Sequence, residues 1–440
     1  MSVSEPSIAE LIAARAQLAM HAMDGLLLEG VPLNRIADVL GTPTWVYGAG
    51  TMRQRFAVLR DAVAGLREAG LAPHIHYAIK ANDHLAVLRV FGAEGAGADV
   101  VSGGELRRAR QAGIPGEKIV FSGVGKTAEE LRLALVEGVA QINVESAEEL
   151  EMLSAVATTV GRTAPLALRI NPDIAADTHA KISTGRSGDK FGIPLADVAA
   201  LYGRAVGLPG VRPVGLAVHI GSQIQALGRY RAAYGCMAGL VRDLRAQGLM
   251  VEVVDCGGGL AIPYGCEPVP SPRAFAGVIA ATLGGLGLKI IFEPGRWLVG
   301  PAGVLLASVV LEKRLAERRF VVLDAAMNDL IRPALYDAWH GIVPLSAVDA
   351  ARPTTQADVV GPVCETGDTF ARNRALPPLA RNARVAMLDA GAYGAVMSST
   401  YNARPLAAAA MVDGDRWAVI RERGRPAALW AGERIPDFLA

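Results

Sequence analysis

Between residues 74 and 293 short apolar runs recur, each closed by a polar residue: 74–81, 99–102, 119–122, 141–145, 166–171, 215–220, 251–255 and 289–293. Several are continuous rather than alternating, which is the pattern of parallel strands covered on both faces. The stretches between them read as helices. Three open on a Ser or Thr followed three residues later by Glu: Ser102 with Glu105, Thr127 with Glu130, and Ser146 with Glu149. A pair at this spacing satisfies orphan amides at a helix start reciprocally, so each marks a strand-to-helix junction. Eight such units in about 250 residues predict a (β/α)8 TIM barrel. An open doubly wound sheet is the alternative.

After Pro301 the pattern changes. Runs at 302–311, 319–324, 357–361, 384–389 and 407–422 read as strands joined by turns, with only short helical patterns among them. They predict a second, mostly β domain, and an early strand at 44–47 is placed to join its sheet. The expected division is an N-terminal extension and strand over 1–48, a barrel over 49–300, and a β-sandwich or barrel-like domain over 301–440.

Composition narrows the class. Hydrophobic residues at 51% and charged residues at 20% exclude a disordered or fibrous chain. Forty-four Lys and Arg against 43 Asp and Glu leave a net charge of +1 with no block of one sign, so no nucleic-acid surface is expected. Cys236, Cys256, Cys266 and Cys364 form no Cys-x-x-Cys pair and are too few for a secreted disulfide framework, which fits a reducing cytoplasm. The first thirty residues place Glu5 and Glu10 ahead of Arg15, unlike a signal peptide. The apolar run 300–311 stops at Glu312 after twelve residues, short of the roughly twenty that a membrane helix needs.

In a barrel of this kind the chemistry sits at the C-terminal strand ends. Here those ends carry Lys80, Ser102, Ser122, Glu145, Arg169 with Asn171, His219 with Ser222, Asp255 with Gly257 to Gly259, and Glu293 with Gly295 and Arg296. Lys80 closes an apolar run, where a desolvated amine favours Schiff-base chemistry, although a lone lysine at a strand end more commonly snorkels to solvent. Gly257, Gly258 and Gly259 after the seventh strand and Gly295 after the eighth stand where barrels bind phosphate, though glycines also make plain turns. Glu293 would be a buried carboxylate in need of a cation, either a protonated ring nitrogen or a structural arginine such as Arg169 or Arg296. His219 is open to three readings: a stacking ring, an acid or base, or a satisfied core histidine. The segment Ser122-Gly123-Val124-Gly125-Lys126-Thr127 ends like a P-loop but has Val120 where that motif requires Gly. No dinucleotide fingerprint and no metal-ligand spacing is present, so no metal is expected.

Four segments then carry a resemblance. Tyr77-Ala78-Ile79-Lys80-Ala81-Asn82, His219-Ile220-Gly221-Ser222, Gly257-Gly258-Gly259-Leu260 and Glu293-Pro294-Gly295-Arg296, in this order, resemble the fold type III pyridoxal-phosphate decarboxylases, related in fold to alanine racemase. The segments from Asn328 to Tyr336, from Gly361 to Glu365 and from Gly391 to Gly394 narrow the resemblance to the diaminopimelate decarboxylase branch. It covers nearly the whole chain from about Leu33 onward. Mild departures are Ala326, where the family often has Gly, and Trp297, where a smaller residue is common.

The resemblance implies that Lys80 links covalently to pyridoxal 5'-phosphate, His219 stacks on its ring, and Glu293 keeps the ring nitrogen protonated. Ser222, Gly257, Gly258, Gly259, the stretch Glu293, Pro294, Gly295 and Arg296, and Tyr393 would hold the cofactor and its phosphate. Arg296, Arg332, Tyr336, Glu365 and Tyr393 would bind the substrate, meso-diaminopimelate, with the arginines on a carboxylate and Glu365 on an ammonium. Cys364 would protonate the substrate carbon after CO2 leaves, and L-lysine would be released. Cys364 and Glu365 would reach into a neighbouring subunit's site, implying a head-to-tail homodimer. Ile182-Ser183-Thr184-Gly185, ahead of Lys190-Phe191-Gly192, resembles the family's mobile active-site loop. A substrate zwitterion at the far end matches two arginines beside a glutamate, whereas a diamine-forming decarboxylase has no distal carboxylate to offer them.

Overall fold

A computed structural model describes residues 5–174 and 190–439. The chain forms two compact units, one made of Met52–Ile262 and Pro268–Leu298, the other of Met1–Thr51, Pro263–Glu267 and Val299–Ala440.

The first unit is a closed parallel barrel of eight strands: β1 Ala72–Ala78, β2 Gly97–Val100, β3 Ile119–Phe121, β4 Gln141–Val144, β5 Ala164–Asn171, β6 Val211–Val218, β7 Val253–Asp255 and β8 Lys289–Phe292. Each strand pairs in parallel with the next in sequence, and β8 returns to β1 through Lys289↔Ala72. Closure removes the open edges that the doubly wound alternative would have kept. Most of the polar residues that close the apolar runs lie just past the strands. Lys80, for example, sits in the 3-10 turn Ile79–Ala81 rather than at the end of a strand running to Ala81. Arg169, Asn171 and Asp255 are within their strands.

Two of the three helix starts differ from the reciprocal form expected of them. Only Thr127 and Glu130 bond in both directions. Ser102 and Ser146 cap the amides of Glu105 and Glu149, but those glutamates reach one residue further back, to the amides of Val101 (2.8 Å) and Glu145 (2.9 Å). The backbone explains the difference. Thr127 has φ −80°, whereas Ser102 and Ser146 are extended at −156° and −154°, so their own amides face away from the helix. The P-loop-like Lys126 is structural: its ammonium donates to Glu149 Oε1 (2.6 Å) and to the carbonyls of Gly123 and Asn143.

In the second unit Thr44–Gly48 is an inner strand, antiparallel to Gly303–Leu315 and parallel to Ala408–Asp413. The run read as one strand over 407–422 is a hairpin, Ala408–Asp413 with Arg416–Arg421, turned at Gly414 with φ 65°. Strands Ile342–Pro344 and Thr369–Leu376 were not visible in the pattern. The second reads Thr-Phe-Ala-Arg-Asn-Arg-Ala-Leu, its charged middle masking the apolar ends. The N-terminal extension, featureless in sequence, folds into helix Ile8–Ala13 and a small meander, Leu18–His21, Gly25–Leu28 and Val31–Pro32. Leu11, Leu18, Leu26, Leu28 and Val31 enter the same apolar core as Val46, Leu306 and Leu388. Arg15 anchors it, donating from Nε (2.8 Å) and Nη2 (2.5 Å) to Asp389, both side chains being about 95% buried. Among the described residues no helix is long and apolar enough to cross a membrane.

Candidate active site

The C-terminal ends of the barrel strands gather an unusual density of buried charge. Lys80 Nζ donates to Asp99 Oδ2 at 2.9 Å, and the Asp99 side chain is fully buried. The amine is thus held by a carboxylate from the neighbouring strand β2, and it is one-third exposed, so it faces an opening rather than the core. Pattern reading passed over Asp99. The available signal was a carboxylate inside the four-residue apolar strand Gly-Ala-Asp-Val, where an ionised group is costly unless paired.

Opposite in charge to Lys80 stands a carboxylate pair. Glu293 and Asp255 are both buried and hydrogen-bonded to each other. Burial, then repulsion from Asp255 and Asp99, pushes Glu293 well above the carboxylate range. Burial also raises Asp255, to about 6, although Glu293, the Gly257 amide and Asn143 all favour its ionised form. Ser122 Oγ donates to Glu293 Oε1 (3.3 Å), Asn143 Nδ2 donates to Ser122 Oγ (3.0 Å) and to Asp255 Oδ2 (3.1 Å), and Gln141 fixes Asn143 in turn (2.7 Å). Neither arginine weighed as a structural partner of Glu293 takes that place. Arg169 pairs with Glu145 at 2.7 Å and stacks over Phe191, while Arg296 donates to Ser222 Oγ at 2.8 Å. The two carboxyls therefore cannot both ionise unaided, and a cationic group placed against Glu293 would let it give up its proton.

The glycines answer a steric demand. A Cβ on Gly258 would lie 2.2 Å from the Glu293 carbonyl oxygen, and one on Gly295 would lie 2.8 Å from Ala81 Cβ. Gly257 adopts φ 64°, and Gly259 adopts φ 95°. The triplet does not offer three free amides, however. Gly257 N–H donates to Asp255 Oδ1 (2.9 Å) and Gly258 N–H to His219 Nδ1 (3.3 Å). That second bond fixes His219 Nδ1 as an acceptor. Burial, with the nearby Lys80 and Arg169 cations, holds the imidazole neutral, its proton affinity far below the usual range. Of the three readings of His219, a cationic acid at rest is thereby excluded. Trp297 follows Arg296 and packs under the Arg55 guanidinium, 3.9 Å from the ring centre.

The second unit supplies its own group of candidates. Arg332 is buried, its guanidinium 4.7 Å above the Tyr264 ring and donating from Nη1 to His340 Nε2 (2.6 Å). His340 Nδ1 donates to the Leu388 carbonyl (2.8 Å), which assigns the tautomer and braces the arginine. Tyr336 closes the short helix Arg332–Tyr336. Cys364 and Glu365 are exposed on a turn tied down by Asp368, whose carboxylate accepts from the amides of Val363 (2.7 Å) and Met327 (2.6 Å). Tyr393 has φ 56°, a left-handed conformation that a tyrosine rarely adopts. His340 and Asp368 were missed in sequence. The loop expected at Ile182 to Gly185 lies outside the described residues, but Gly192, just beyond it, donates its amide to Glu145 (3.1 Å).

Comparison with known proteins agrees across both units. Residues 52–300 match the family described as pyridoxal-dependent decarboxylase, pyridoxal binding domain. The chain is 46% identical over 417 residues to a diaminopimelate decarboxylase of Zymomonas mobilis, covering 94% of this chain and 98% of that one. A crystal structure of diaminopimelate decarboxylase from m. jannaschi superposes with a TM-score of 0.92 at 32% identity, over 97% of this chain and all of that one. The Helicobacter pylori diaminopimelate decarboxylase, solved with L-lysine, gives 0.86 at 37% identity, over 90% and 98%.

Proposed function

Because the chain belongs to the diaminopimelate decarboxylases, a branch of the pyridoxal-dependent decarboxylase family, we propose the following roles for its residues in that reaction. The reaction is the pyridoxal-phosphate-dependent decarboxylation of meso-2,6-diaminopimelate to L-lysine and CO2, the last step of lysine biosynthesis. When bound, the cofactor supplies an electron sink for the pair left on the α-carbon as CO2 departs.

Lys80 is the amine that binds the cofactor covalently, and Asp99 takes up its charge whenever it is free. Glu293 holds the proton on the ring nitrogen. The buried Glu293 and Asp255 pair, in which both carboxyls hold protons more tightly than usual, is the observation that supports this assignment, since a cation beside a buried carboxylate favours its ionised form. His219, neutral and fixed through Nδ1, lies against the ring as a flat, uncharged surface. Ser222, Gly257, Gly258, Gly259, Pro294, Gly295, Arg296 and Tyr393 hold the phosphate end and the ring. Gly259, Gly295 and Arg296 carry more of the phosphate than Gly257 and Gly258, whose amides are already engaged.

The substrate's distal carboxylate is bound by Arg296 and Arg332, with Tyr336 and Tyr393 beside them, and its distal ammonium by Glu365. The Cys364 thiol delivers a proton to the α-carbon. Family resemblance further supports a head-to-tail homodimer in which Cys364 and Glu365 serve the neighbouring subunit's site, and the free state of all four cysteines accords with a reducing cytoplasm.

Product analysis tests the reading. With added pyridoxal phosphate, lysine should appear from meso-diaminopimelate, and no diamine from lysine or ornithine; the reverse pattern would overturn it. Mixing Lys80→Ala with Cys364→Ala subunits should restore part of the activity that each lacks. Mixed dimers that form and stay inactive would refute the shared site.

A further inference from the structure

The barrel has a second opening at its N-terminal end, formed where β1, β2 and β8 begin and where the chain enters β3. It encloses about 730 Å³, within the range of small-molecule sites. Its lining includes Arg67, His74, His76, Lys118 and Lys289. None of the three cations Arg67, Lys118 and Lys289 has an ion-pair partner among the described residues. Arg60, also in the wall, is paired with Asp61 at 3.3 Å. Glu94 and Glu117 line the opening too, but the groups that bear on His74 are all positive. Burial lowers its proton affinity first, then Lys289, Arg67 and Lys118, with no carboxylate among the causes. His76 is only 4% exposed, and its Nδ1 is buried against Gly97, where an added Cβ would come within 2.5 Å of it. Burial, Lys289 and His74 depress its protonation, to about 4, against the opposing pull of Asp99 and a hydrogen bond with the Ala98 backbone.

Three cations without ion-pair partners around one cavity, all bearing on the same His74 imidazole, are an arrangement that a bound anion relieves. We infer that the N-terminal mouth of the barrel binds a small multiply charged anion, a phosphate ester or a polycarboxylate, between Arg67, Lys118 and Lys289 with His74 as a further donor. Lys80 follows His74 by six residues, so the site lies roughly 20 Å from the chemistry, at 3.3 Å per extended residue. Binding there draws protons onto His74, because an anion reverses the effect of the surrounding cations. Affinity therefore rises as pH falls.

The test is calorimetric titration of the full-length, cofactor-loaded protein with inorganic pyrophosphate and, separately, with citrate, in matched salt at pH 6 and pH 8. Loaded cofactor keeps the other phosphate pocket filled. The proposal expects saturable binding of at least one probe, weaker at pH 8, and lowered about tenfold by Lys289→Met and by the exposed double variant Arg67→Gln with Lys118→Gln, each removing charge-assisted contacts. Preference for pyrophosphate identifies a phosphate ligand, and preference for citrate a polycarboxylate. Absence of saturable binding by either probe overturns the proposal, as does binding that neither variant weakens.

Discussion

Changing Asp255 to Asn should make the cofactor-free barrel more stable at high pH, even though Asp255 belongs to the site. Its carboxyl titrates near 6 in the fold against about 3.9 in an unfolded chain. The folded state therefore holds the proton more tightly. Below both values the two states are equally protonated and nothing is lost. As pH rises through this window, ionisation costs the fold about two pKa units, or about 3 kcal/mol by pH 8 and roughly half of that at pH 5. Asparagine keeps the acceptor for the Gly257 amide but meets Asn143 Nδ2 with a donor, a loss of about 1 kcal/mol. The net gain is about 2 kcal/mol at pH 8 and close to zero at pH 5. Urea unfolding of cofactor-stripped protein, followed by circular dichroism at both pH values, measures it. A variant no more stable than the parent at pH 8, or one with the same difference at both pH values, would refute the account of Glu293 and Asp255 as a buried pair that resists ionising. The same variant should release cofactor more readily, since the ring-nitrogen cation then faces one carboxylate fewer.

Other perturbations follow from single contacts. Gly258→Ala places a Cβ against the Glu293 carbonyl and should weaken pyridoxal-phosphate binding by at least tenfold in a titration followed by absorbance, with far-ultraviolet dichroism unchanged. Arg15→Met leaves Asp389 buried without its guanidinium and should destabilise the second unit by about 3–5 kcal/mol in urea. His340→Phe removes the acceptor behind Arg332 and should raise KM for meso-diaminopimelate more than it lowers kcat. Lys80→Ala should abolish both decarboxylation and borohydride-fixed cofactor.

The barrel was legible because parallel strands buried on both faces appear in sequence as uninterrupted apolar runs, and each ends where a polar side chain leaves the ladder. That same rule led directly to Lys80, His219, Asp255 and Glu293. It could not find Asp99 as the partner of Lys80, because pairing across β1 and β2 depends on register, which no local pattern encodes. Nor could it tell which glycine amides are free, since Gly257 and Gly258 are claimed by side chains from elsewhere in the barrel. The β unit was read less completely. In Thr369–Leu376 two buried residues flank Arg372 and Asn373, and the buried Arg374 breaks the apolar signal again. The N-terminal extension was opaque for another reason: its apolar residues are spread over a short helix and strands of two to four residues, too short to show a period.

The inner strand Thr44–Gly48 has a consequence in time. It is translated early, yet its partners begin at Gly303 and Ala408. At roughly 5–20 residues per second, about 360 residues of synthesis separate it from its second neighbour, a wait of about 20–70 s. All eight barrel strands are made before either partner exists. A stretch of Thr-Trp-Val-Tyr-Gly, apolar, has both edges open until Gly303–Leu315 is made and one edge open until Ala408–Asp413 follows, which makes it the segment of the nascent chain most in need of chaperone cover.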